Sequence, residues 1–203
     1  MRRLIYALLV FAVAKQAWAG AQQYEPLAAS AQAALHAAVS DSAAPEPQFA
    51  SIEEKIGWLT EMSRRLEKRI PDRTARLEFL KAVRYEAQRA GLDPQLVLGL
   101  IQVESGFRKH AVSTAGARGY MQVMPFWLKL IGSPDQNLFH LRTNLRFGCT
   151  ILRHYLDIEN GDLFRALGRY NGSLGRPEYP NMVRATWENQ WRWRPSLAQS
   201  SNR

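Results

Sequence analysis

One stretch limits the fold more than any other. Leu96, Val97, Leu98, Leu100, Ile101 and Val103 crowd together between Asp93-Pro94 and Gly106. Asp93 is suited to cap a helix N-terminus and Pro94 to fill its first turn, where no backbone N–H is needed. A helix that is apolar on nearly every side has to be buried rather than laid on a surface. At 203 residues and 46% hydrophobic, the chain is long enough to build a sizeable core around it.

The neighbouring segments supply further helices. Arg73 to Ala90 places Leu77, Leu80, Val83 and Ala87 on one face, with Gly91 as a C-terminal stop. Ser51 and Glu54 have capping-box spacing, and Ile52, Ile56, Leu59, Leu66 and Ile70 recur behind them until Pro71 ends the run. That stripe is too short for a sustained heptad coiled coil and is expected to dock on the main domain. Further helices are expected over Phe126 to Ile131, Thr143 to Ile158, Leu163 to Tyr170 and Asn181 to Trp193. Sustained strand alternation is absent, so the expected class is mainly α. Residues 20 to 50 include eleven alanines, few large apolar side chains, and Pro45 and Pro47. They read as an Ala/Pro-rich linker with at most transient helix.

The N-terminus reads as an export signal. Arg2 and Arg3 precede an apolar run from Leu4 to Ala14, and Ala17-Trp18-Ala19 offers small residues where a signal peptidase cuts. The run is short for a membrane span, and no lipid-accepting cysteine follows it. Cleavage after residue 19 removes three basic residues and no acid, lowering the formal charge from +9 to +6. The expected location is periplasmic, without stable membrane insertion after cleavage. The lone Cys149 excludes an internal disulfide and a cysteine-rich zinc site, and is expected to be buried. His36, His110, His140 and His154 form no ligand-spaced cluster, and no phosphate-binding glycine loop occurs. No metal or cofactor is therefore expected. The Trp187, Trp191, Trp193, Arg192 and Arg194 mixture reads as packing rather than as a nucleic-acid surface.

Glu104 ends the apolar helix, ahead of Ser105-Gly106-Phe107. A carboxyl at the edge of an apolar wall is poorly solvated when charged, so its pKa is expected to rise, as a general acid requires. Ser105 is placed to hydrogen-bond it or a neighbouring backbone group, and Phe107 to screen it from water. A solvated glutamate beside a turn is the open alternative at this point.

The motifs now add up. Glu104-Ser105-Gly106-Phe107, Gly119-Tyr120-Met121-Gln122-Val123-Met124-Pro125 and Ala166-Leu167-Gly168-Arg169-Tyr170-Asn171-Gly172 resemble, in order and spacing, three signatures of the family 1 lytic transglycosylases. Their catalytic unit is the goose-lysozyme-like SLT domain. Asn144-Leu145-Arg146-Phe147-Gly148 is similar to the start of that family's intervening helix, and the similarity runs from about Leu77 to Trp187. Tyr120, Arg118, His140-Leu141 and Gly168-Arg169 depart from the family pattern. None of them removes a catalytic group; they bear on subsite preference.

The resemblance implies a lysozyme-like α-helical domain over 73–193. It follows a signal peptide (1–19), the linker (20–50) and a leading amphipathic helix (51–72), and precedes a polar tail (194–203). It implies Glu104 as catalytic acid, Ser105 and Tyr170 in support, and Met121, Gln122 and Asn171 toward the sugar. Glu178 is a candidate second carboxylate, with a solvated loop acid the better reading. The implied reaction cleaves the β-1,4 bond between N-acetylmuramic acid and N-acetylglucosamine in peptidoglycan, leaving a 1,6-anhydro end. The alternatives are a water-using muramidase on the same fold and a non-catalytic wall-binding protein. The segment from Gly20 to Ile70 is a candidate docking region for a secretion or wall-assembly partner.

Overall fold

The computed structural model describes residues 22–40, 46–133 and 135–194. The expected signal peptide and the tail beyond Arg194 lie outside these residues. Eight α-helices are described: α1 Ala29–Ser40, α2 Ile52–Leu66, α3 Arg73–Arg89, α4 Pro94–Ser105, α5 Phe126–Ile131, α6 Leu141–Ile158, α7 Leu163–Asn171 and α8 Glu178–Thr186, which runs on into a π-helical turn Trp187–Trp191. Among the described residues, extended pairing is limited to two isolated bridges, so the class is mainly α, as expected.

The apolar helix is α4, and it sits in the middle. Asp93 accepts from the Gln95 N–H at 2.7 Å, and Gly106 stops the helix at φ 59°. Leu96, Val97, Leu98, Leu100 and Ile101 are all buried, each contributing about 2 kcal/mol of gross burial energy. α3, α8 and the π-helical turn pack around it. Gly99 sets the closest approach: a Cβ there would lie 3.0 Å from the Trp187 backbone nitrogen. α3 begins at the Asp72 cap and ends with Gly91 at φ 65°, where the Leu92 N–H reaches back to Ala87 O at 2.8 Å. Inside, α3 and α6 are joined by an ion pair between buried Glu86 and Arg146 at 2.9 Å.

Four expectations change, three of them ahead of α3. The segment read as a linker contains α1, which is docked. Leu35 and Val39 are buried, Gln32 Nε2 donates to Leu130 O at 2.7 Å, and His36 Nδ1 pairs with Ile131 O at 3.0 Å. Alanine keeps the intrinsic helix penalty low, so two large side chains and two polar ties suffice. The docking face of α2 is also different. Leu66 is buried and Leu59 and Ile70 pack against the core as expected, but Trp58 and Met62 are buried with them, whereas Ile52 and Ile56 are 67% and 61% exposed. Ile56 and Trp58 are two positions apart, about 200° round the helix, so only one of their faces can be inward. Finally, the Ser51 hydroxyl accepts from the Glu54 N–H at 3.1 Å, but the Glu54 carboxylate takes the Ala50 N–H at 2.6 Å rather than that of Ser51. Its other oxygen holds Arg84 at 2.6 Å, whose guanidinium stacks 3.8 Å from the Phe49 ring centre.

The last helix starts earlier than its periodicity suggested. Pro180 lies in the first turn of α8, where its missing N–H disrupts nothing, and Tyr179, Val183 and Thr186 face inward. Trp191 is buried, and its Nε1 donates to Gln102 Oε1 at 2.9 Å; Trp193 packs on Gly57 of α2. Cys149 is buried, and that burial pushes its thiol well above the ordinary range. No described helix is long and apolar enough to cross a membrane.

Candidate active site

Glu104 occupies the last turn of α4 and is only 3% exposed. The Tyr179 hydroxyl, from the first turn of α8, donates to its Oε1. Burial first, and the Glu104 charge second, push the Tyr179 phenol well above its ordinary pKa, so it stays a donor. Tyr170, on α7, is buried too. Its phenol is raised by the same two causes in the same order, and it donates to Met121 O at 2.7 Å. The phenol hydrogen-bonded to the acid is therefore Tyr179, whereas the sequence pointed to Tyr170.

The loop after α4 is folded back on itself and latched by α6. Arg118 bridges both Val112 and Val123. Asn144 Oδ1 accepts from the Met121 N–H at 2.7 Å, while its Nδ2 donates to Arg118 O and Leu138 O, both at 2.8 Å. Gly119, at φ 76°, lies so close to this amide that a Cβ would come within 2.4 Å of Nδ2. One α-helical turn further on, Gly148 makes room for the Met121 side chain. The segments around Met121, Asn144 and Tyr170, distant in sequence, thus meet at a single point.

Met121 and Gln122 were expected to face a sugar. Both side chains are buried instead. Gln122 takes φ 48°, and its amide nitrogen donates to Gly119 O at 2.9 Å and Ala111 O at 3.1 Å. Both carbonyls also accept backbone N–H groups, Gly119 O from Gln122 and Ala111 O from Gly119, so the glutamine side chain adds a second bond to each and ties the turn together. Ser105 is buried, and its hydroxyl donates back to Ile101 O at 3.2 Å rather than supporting Glu104. Phe107 is buried among aromatics, 5.9 Å from the Phe79 ring centre and 5.3 Å from that of Trp191. Asn171 is buried at the end of α7, before Gly172 at φ 77°. Glu178 is exposed, one residue and about 100° round α8 from Tyr179.

Sequence reasoning missed Tyr179. A signal was present: Tyr179, Val183 and Thr186 stand at i, i+4 and i+7, the pattern of a buried face. Among the described residues no group of three or more His, Cys, Asp or Glu is placed to hold a metal ion.

The structure defines a helical domain in which the buried carboxyl of Glu104 ends the central helix and takes a hydrogen bond from the buried phenol of Tyr179. Residues 81–184, half of the chain, match the family model described as the Transglycosylase SLT domain, and the chain belongs to that family. A membrane-bound lytic murein transglycosylase C from Histophilus somni is 39% identical over 113 residues, covering 48% of this chain and 31% of that protein. A transglycosylase of Enterobacteria phage PRD1 is 32% identical over 103 residues, covering 51% of this chain and 38% of the phage protein. The chain thus spans about a third of the length of these curated relatives. Among solved structures, the lytic transglycosylase Slt of Pseudomonas aeruginosa aligns with a TM-score of 0.43 at 21% identity, over 66% of this chain and 24% of that one.

Proposed function

We propose that the protein is a peptidoglycan lytic transglycosylase, exported to the periplasm, that cleaves the bond between N-acetylmuramic acid and N-acetylglucosamine. Family membership and the murein transglycosylases among its relatives support the reaction class. The observation that carries the reading furthest is the burial of Glu104 beside Tyr179. Desolvation favours the protonated form of a carboxyl, which is the form a general acid must have. The other candidate carboxylate, Glu178, is exposed, which supports a reading in which one carboxyl serves both proton transfers.

The chemistry then follows. Glu104 gives its proton to the bridging oxygen as the glycosidic bond breaks, and the muramyl ring takes on oxocarbenium character, assisted by its 2-acetamido group. The Glu104 carboxylate next removes the proton of that sugar's 6-hydroxyl, whose oxygen attacks C1. The acid is restored and a 1,6-anhydro end forms without water. An internal nucleophile has a high effective concentration, so a second carboxylate is dispensable.

The test is Glu104→Gln, which keeps shape and removes the acid. With circular dichroism unchanged, release of anhydromuropeptides from purified sacculi should fall about 100-fold or more. Wild-type turnover by that variant would remove Glu104 from the mechanism. Mass spectrometry of the parent's products separates the chemistries, because a muramidase product is heavier by one water.

A further inference from the structure

The turn that follows Glu104 is held in an uncommon conformation. Gly106 and Phe107 take φ 59° and 67° in succession, and the left-handed region is costly for a side chain as large as phenylalanine. Burial of the Phe107 ring against Phe79 and Trp191 keeps it there. Two cations flank this turn. Arg108 Nε donates back to Ser105 O at 2.8 Å, which leaves its terminal nitrogens for other acceptors. Arg69 reaches the same turn from just beyond α2. Its guanidinium lies 5.4 Å from the Phe107 ring centre, and its Nη1 lies 4.0 Å from the place a Cβ would take at Gly106.

The position of Arg69 is built into the fold. Trp58, Met62 and Leu66 dock α2, and buried Arg76 donates to Ile70 O at 2.7 Å and Pro71 O at 3.0 Å, fixing the chain directly after Arg69. A guanidinium stacked on an aromatic ring keeps its N–H edge available for a carboxylate. Arg69 and Arg108 are both exposed, and neither is paired with a carboxylate among the described residues. The acids nearest Arg69 in sequence are engaged elsewhere: Glu67 lies 3.8 Å from Arg76, and Asp72 caps α3. From Ser105 to Pro134 the sequence holds no acid at all.

We propose that Arg69 and Arg108 form a carboxylate-binding site that selects murein strands bearing peptide stems. The proposal deepens the function assigned above and rests on it. A peptide stem hangs from the muramyl sugar, the ring whose glycosidic oxygen Glu104 protonates. Gly106 and Phe107 are the second and third residues after Glu104, so the stem and the two cations belong to one neighbourhood. Two forked guanidinium groups suit a carboxylate better than a neutral sugar hydroxyl. Arg69 precedes residues 81–184, which match the family model, so the leading helix supplies one arm of the site.

The test compares soluble glycan strands carrying intact stems with the same strands stripped of stems by an amidase. The parent should cleave the stem-bearing strands with a kcat/KM about tenfold higher or more, the scale of charge-assisted hydrogen bonds. Arg69→Gln/Arg108→Gln should bring that ratio below about threefold, mainly through KM, because such contacts are made in ground and transition state alike. Arg69→Lys/Arg108→Lys should recover part of the ratio, since the charge returns without the planar fork. An unchanged ratio in the Gln variant, no preference in the parent, or an equal loss on both substrates overturns the stem site and leaves the transglycosylase reading standing. Binding to phosphatidylglycerol vesicles that the Gln substitutions abolish, with the stem ratio intact, assigns the pair to a lipid surface and overturns the site as well. A parent that cleaves neither substrate removes the function assigned above, and the stem site with it.

Discussion

The Tyr179 hydroxyl donates to Glu104 Oε1 although the two residues are 75 positions apart in the chain. The contact exists because α8 packs against α4, and just beyond the end of α8 Gly99 has no side chain to hold the Trp187 backbone away. The acid is thereby oriented by a second helix rather than by its own loop.

Removing that hydroxyl is informative. A hydrogen bond donated to a carboxylate favours the charged form, so Tyr179→Phe should raise the Glu104 pKa. The limb of the pH–activity profile that requires protonated Glu104 should move to higher pH. kcat at the parent's optimum should fall about tenfold, the scale of a lost hydrogen bond to a charged group. An unchanged profile would show that Tyr179 only fills space.

Asn144 is the latch of the loop that carries Met121. Asn144→Ala leaves the Met121 N–H and the Arg118 and Leu138 carbonyls without this partner. Unfolding in urea should report a loss of about 3 kcal/mol, and murein release should drop with it. A variant within the error of the parent would mean that water replaces the amide.

Gly148→Ala probes the same junction from the helix side. The new Cβ would lie 2.4 Å from Met121 Sδ and 2.7 Å from Met121 Cβ. The sulfur end can swing away, but the Cβ is tied to the latched backbone. The expected loss is about 2 kcal/mol, with partial recovery in a Gly148→Ala/Met121→Ala double variant. Thermal melts of the three variants against the parent decide the matter; no recovery would locate the strain elsewhere.

Glu61 gives a pH dependence. The hydrogen bond from Arg64, with further help from Arg65 against an opposing effect of burial, lowers its carboxyl from 4.5 to about 2. A depressed folded-state pKa stabilises above the unfolded value and is lost as pH falls through the folded one. The stability gap between the parent and Glu61→Gln should therefore be present above pH 4.5 and close as pH approaches 2. Arg64 is largely exposed, so the gap should be small and shrink in salt. A gap that persists at pH 2 would assign the effect to packing.

The sequence by itself determined the helices whose ends carry short-range chemistry. Asp93 and Gly91 act within a few residues of themselves, so the start of α4 and the end of α3 were legible. It also determined the candidate acid, because Glu104 is placed by the apolar helix that it terminates. Tertiary structure decided what surrounds that acid. Tyr179 displaced Tyr170 as its phenol partner, Met121 and Gln122 turned inward, and the supposed linker became a docked helix. Each of those outcomes depends on which of several similar side chains meets a surface built from residues far away in the chain. Capping and periodicity are local quantities, and they cannot rank such partners; the packing of α8, α6 and α1 onto the central core does.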